Sequence, residues 1–134
     1  MQASSESRIT YWKTAVNMAL HHPVFGVGFN QYPANYDAYT IGNKYDWGLR
    51  TAHSSWFLAL AESGFPGGFL FMAFFVMVLR TAWRNRLRWP AQLYSLAGYG
   101  VAMSFLSHTY TLYFYLLSGL VVASDSLKER FSDA

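Results

Sequence analysis

Residues 65–83, with GFLFMAFFVMVL at their centre, contain one basic side chain, Arg80, and no acidic one. Wound as a helix rising 1.5 Å per residue, such a run covers most of the roughly 30 Å hydrocarbon core of a bilayer. A chain holding it must either wrap it in a large soluble core or leave it in lipid, and composition decides between the two. Of 134 residues, 53% are hydrophobic and 19% aromatic, while only 13% are charged. A soluble domain of this size carries about a quarter charged residues to solvate its surface. Much of this surface therefore meets lipid, and a soluble receptor domain is excluded.

The remainder of the chain fits the same medium. Residues 93–126 contain no Lys or Arg and a single charge, Asp125. That stretch is too long for one straight span and predicts two short ones, 91–107 and 112–126, turning at Ser107, His108, Thr109 and Tyr110. Arg80, Arg84, Arg86 and Arg88 cluster before it, and Lys128 and Arg130 follow it. By the positive-inside rule the loop at 84–90 and the carboxy terminus face the cytoplasm, and residues 1–55 and the His108 turn lie outside. The net charge of +3 is thus placed between apolar segments, not on a phosphate-tracking groove, which argues against nucleic acid as a partner. The expected fold is all-α: a polytopic membrane piece in which a loop segment, 1–55, with amphipathic helices precedes a region, 56–134, of three transmembrane helices. No signal peptide is legible at Met1 to Ser7. Export of a segment bearing Arg8, Lys13, Lys44 and Arg50 then implies further spans upstream, so the chain is expected to be the carboxy-terminal part of a larger protein.

Within the first third, Ile9, Trp12, Val16, Ala19 and Leu20 recur at three- and four-residue steps, predicting an amphipathic helix over 6–21. It stops at His22-Pro23, where Gly26 and Gly28 follow. The aromatic run 29–47, with Tyr32, Tyr36, Tyr39, Tyr45 and Trp47, reads as a loop near the headgroups. A second helix is expected from Thr51 or Ala52 to Ser63, with Gly64 and Pro66 marking a stop and a new start.

His53 stands out for chemistry, because an imidazole exchanges a proton near neutral pH and would activate a hydroxyl at a membrane surface. An interfacial histidine bonded to a neighbouring loop is the plainer alternative. Arg8 offers a permanent, bidentate cation suited to a diphosphate, against the alternative of a solvated arginine or a partner of Glu6. His21 and His22 suit the capping of a helix end, and His108 an interfacial turn. The four histidines show no metal-binding spacing. Glu62 could pair with a basic group across the site, but a structural cap or an exposed carboxylate is the plainer reading. The GVGF run lacks the lysine and hydroxyl residue of a phosphate loop. Without cysteine, disulfides and thiolate chemistry are excluded.

Taken together, Arg8 with Trp12, the run HPVFGVGFNQY from His22 to Tyr32, and AHSSWFLALAESGFPGGFLF from Ala52 to Phe71 resemble the superfamily of O-antigen ligases and Wzy-type O-antigen polymerases. The resemblance implies a bacterial inner-membrane glycosyltransferase whose residues 1–55 are periplasmic. Its donor would be a glycan on undecaprenyl diphosphate, and its acceptor lipid A-core, a growing glycan or, in some relatives, a protein. No metal or nucleotide-sugar cofactor is implied. His53 matches the essential histidine before a late membrane helix and Arg8 the essential upstream arginine; Arg50 is a further candidate for the diphosphate. Ser54 stands where family ligases often have Asn. A non-catalytic transport or assembly subunit is the competing reading, and it would place ionisable groups along the spans. The stretch alone is expected to be inactive.

Overall fold

The structure, a computed structural model, describes residues 2–41 and 51–132, with side chains for 6–41 and 51–127. Among these residues every regular element is a helix: α1 (Gln2–His21), α2 (Tyr32–Tyr39), α3 (Ser55–Arg84), α4 (Pro90–Phe105) and α5 (Leu112–Ser132). The chain folds into two compact units, Met1–Met72 with Met103–Thr109, and Ala73–Ala102 with Tyr110–Ala134.

α1 covers the stretch that the apolar steps predict and begins earlier, at Gln2, but those steps do not mark its core face: Ile9 and Leu20 are exposed. Its Tyr11, Ala15 and Met18 are buried in the first unit's core together with Tyr32, Tyr36, Ala52, Leu58 and Ala61. The His21 ring lies 2.9 Å from the Asn17 carbonyl, one turn back, and so caps the helix end.

α2 corrects the expectation of a continuous loop over 29–47. Pro33 opens it with φ already helical, and Tyr32 and Tyr36, one turn apart, are fully buried. The Tyr32 hydroxyl donates to the Tyr11 carbonyl at 2.8 Å. At the far end Asn17 Nδ2 donates to the Tyr39 carbonyl at 2.8 Å. An eight-residue helix has little stability of its own, so these contacts with α1 hold it.

α3 is two helical stretches joined at Gly64, whose φ of 70° suits glycine alone without strain. The sequence signal of a stop and restart is real, but Pro66 begins the second stretch so soon that the helix kinks instead of ending. Only 17% of its most apolar window is buried within the molecule, which marks a surface for lipid more than a soluble core helix. Among the described residues α3 alone is long and apolar enough to cross a membrane; the apolar part of α5, Leu112–Leu127, is shorter. α4, at 16 residues, extends about 24 Å.

In the second unit Phe114 is fully buried. Its ring stacks on Tyr99 at 5.7 Å and meets Phe74 edge-on at 5.7 Å. Polar groups are paired toward one end: Gln92 donates to Ser124 at 2.7 Å, and Asp125 accepts from Arg84 at 2.8 Å and from Asn85 at 2.7 Å. Tyr99 and Thr111 share a hydroxyl hydrogen bond of 2.5 Å.

Candidate active site

Two constructions, both in the first unit, bracket the opening stretch of α3. The first lies at its start. His53 sits two residues before α3 and not inside it, with a left-handed φ of 47°. That conformation is uncommon outside glycine, though histidine is among the residues enriched there, and the surroundings must hold it. Its N–H donates to Thr51 Oγ1 at 3.3 Å, and that hydroxyl shares a 2.9 Å hydrogen bond with Ser107. Ser55 donates to the Leu106 carbonyl and accepts from the His108 N–H, each at 2.8 Å. Thr109 Oγ1 donates to the Ser55 carbonyl at 3.0 Å, and Trp56 Nε1 donates to Ser104 at 3.1 Å. The turn between α4 and α5 thereby clasps the segment that presents His53.

The His53 ring is half-buried and lies 5.3 Å from the ring of Tyr11. Arg8, one helical turn before Tyr11 on α1, is exposed. Burial, and secondarily the Arg8 guanidinium, push the His53 pKa below the usual histidine value. The imidazole is therefore neutral at pH 7, able to take a proton. Among the described residues no hydrogen bond occupies either ring nitrogen. Arg8 and His53, far apart in sequence, thus act electrostatically on one another; Arg50 lies outside the described residues.

The second construction lies at the end of the stretch. The kink at Gly64 leaves backbone groups of α3 without helical partners, and the loop after α1 supplies them. Val27 N–H donates to the Ala61 carbonyl at 2.9 Å, Gly28 N–H to the Glu62 carbonyl at 3.1 Å, and Phe65 N–H to the Pro23 carbonyl at 2.9 Å. The backbones approach so closely that a Cβ on Gly26 would strike the Glu62 carbonyl carbon, and one on Gly64 would lie 2.6 Å from the Pro23 oxygen. Glu62, only 3% exposed, completes the joint. Its carboxylate accepts from the Asn30 N–H at 3.1 Å and the Tyr32 N–H at 3.0 Å, satisfying donors at the entry to α2. Of its sequence readings, the structural cap is the one the hydrogen bonds bear out, but the helix it caps is α2 and not its own.

Tyr11 was not apparent as a site residue in the sequence, although its i+3 spacing from Arg8 places both on one face of α1. Tyr32 has its pKa raised, by burial first and then by Tyr36 and Tyr11. Its phenol therefore stays protonated, as a donor to the Tyr11 carbonyl requires.

The fold and site define a helical protein built on an apolar helix, with a half-buried imidazole beside Tyr11 just before that helix's start. The family model for O-antigen ligase matches residues 2–72, and the chain belongs to that family. The match runs from the start of α1 to the apolar part of α3, taking in Arg8, His53 and the joint between the Gly26 loop and Gly64. The family is membrane-associated and takes in glycosyltransferase-like O-antigen ligases, which in general join a lipid-linked glycan to lipid A-core. No curated protein and no solved structure matches the chain.

Proposed function

We propose that the chain forms the acceptor-activating and diphosphate-binding part of an O-antigen ligase in the bacterial inner membrane. Residues 1–55 face the periplasm and segments 65–83, 91–107 and 112–126 cross the bilayer. The observation that supports this reading is the packing of the half-buried His53 ring against Tyr11, one helical turn from Arg8 on α1.

In the proposed reaction a hydroxyl of lipid A-core gives its proton to the free nitrogen of His53 as its oxygen attacks the anomeric carbon of the donor glycan. The bond from that carbon to the diphosphate oxygen breaks, and undecaprenyl diphosphate leaves with the electron pair. The leaving group gathers negative charge in a region of low dielectric, where the fixed charge of Arg8 stabilises it most. Arg50 joins Arg8 in this role. Tyr11 packs against the imidazole and fixes its plane. A neutral base near pH 7 is the form such a step needs, and general-base catalysis contributes about 10²- to 10⁴-fold.

The test is His53→Ala in the gene encoding this chain, read on a lipopolysaccharide gel. Disappearance of all core-linked O-antigen is the expected result. A core bearing one repeat would identify a polymerase instead, and an unchanged ladder would remove His53 from the chemistry.

A further inference from the structure

The loop between α1 and α2 has its polarity inside out. Phe25 is 83% exposed, Phe29 69% and Val24 57%, whereas the N–H groups from Gly26 to Gly28 are paired. Gly26 N–H donates to the His22 carbonyl at 2.9 Å, while those of Val27 and Gly28 are taken by α3. Pro23 has no N–H to satisfy. A loop in water shows the reverse: solvated backbone, with apolar side chains tucked away.

Non-helical backbone is tolerated at membrane depth only where protein satisfies its polar groups. Three successive N–H groups of this loop meet that condition: Gly26 pairs with His22, and Val27 and Gly28 pair with the Ala61 and Glu62 carbonyls beside the Gly64 kink. The segment from Pro23 to Asn30 carries no Asp, Glu, Lys or Arg. It is pinned, through Pro23 and Phe65, where α3 begins to expose Phe65, Phe69 and Leu70. The outward side chains of the loop therefore adjoin the apolar surface of the helix that is long enough to cross a membrane.

The geometry points to a membrane-inserted hook: Val24, Phe25 and Phe29 enter the acyl-chain region of the bilayer beside the start of the α3 span. Its partner is lipid, and the inference does not depend on any role of His53 or Arg8. Side chains held this way reach about 5–10 Å into the boundary between headgroups and acyl chains.

Residues 1–134 hold no cysteine, so with any cysteine outside them replaced by serine a single introduced thiol allows a direct test. Phe25→Cys and, separately, Phe29→Cys are labelled with an environment-sensitive fluorophore in the whole protein. The protein is reconstituted in vesicles of phosphatidylethanolamine and phosphatidylglycerol. Ala38→Cys, exposed on α2 beside Asp37, is the aqueous reference. Both hook positions should emit to the blue of the reference. They should be quenched more by a lipid-borne quencher near the headgroup than by one at the chain end or by aqueous iodide. Iodide quenching equal to that at position 38 would overturn the inference. Shielding of both positions from lipid and aqueous quenchers alike would also overturn it, showing a protein surface, either a second copy or another chain, in place of lipid. Two labelled positions keep the test decisive if one substitution disturbs folding.

Discussion

His53 and Glu62 stand at opposite ends of one helical stretch, and each is a titratable side chain in a matched family motif, yet they are built for opposite tasks. Glu62 is almost fully buried, with both carboxylate oxygens accepting backbone N–H groups. His53 is half-buried, strained in backbone, and held by its neighbours, while among the described residues nothing bonds its ring nitrogens. A group whose hydrogen-bonding capacity is used within the fold contributes stability; one held firmly but left open can contribute chemistry. Burial alone would have ranked the two in the wrong order.

The comparison breaks most visibly at Glu62. Glu62→Ala strips the Asn30 and Tyr32 N–H groups of a charged acceptor, and losses of about 1.5–3 kcal/mol apply to each such bond. The protein should unfold several degrees lower in detergent and lose protease resistance around α2. By contrast, His53→Ala removes a half-buried ring that carries no side-chain hydrogen bond among the described residues, and should cost less, about 1 kcal/mol. If His53→Ala proved the more destabilising, the division between structural and chemical ends would fail.

Gly26→Ala comes next. The new methyl meets the Glu62 backbone at a positive φ, so the loop must lift from α3. A destabilisation of about 1–3 kcal/mol is expected, the range for overpacking and for strain of this kind. Wild-type-like melting would show that the loop and α3 are less tightly joined than the structure shows.

The smallest effect is electrostatic. Arg8→Gln removes the cation that helps depress the His53 pKa, so the imidazole should titrate closer to about 6.5, the unperturbed value. Burial, the larger cause, remains, so part of the depression should persist. Because the folded pKa is the lower one, the folding contribution of His53 is complete above about pH 6.5 and falls away as pH drops through the folded value. NMR titration of the His53 ring in both proteins checks the direction; an unchanged or lowered pKa in the variant would uncouple the two residues.

Local signals made much of this fold legible. The apolar steps from Ile9 to Leu20 gave α1 but not the face it buries, Gly64 with Pro66 marked the place where α3 kinks, and the Ser107 to Tyr110 turn falls between α4 and α5. The helix α2 was not legible, because what begins it is a carboxylate 30 residues away and what holds it is the face of α1. Spacing could not separate a catalytic His53 from an interfacial one. That distinction needed the resemblance, and its physical content, an open ring near Arg8, appears only in three dimensions. The i+3 step from Arg8 to Tyr11 was present in the sequence, yet the step is too common on helices to single out a site.

The Asn30–Glu62 contact spans 32 residues, and this separation bears on the order of assembly. A ribosome delivers α1 and the segment of α2 well before α3 emerges, so α2 waits without its cap until the start of the long apolar helix arrives. Closing a loop of that length carries an entropic cost that only the completed joint offsets. Mature α2 thus records that the helix after it has reached its place, and a chain stalled or misinserted at α3 would leave that record blank and α2 open to proteases.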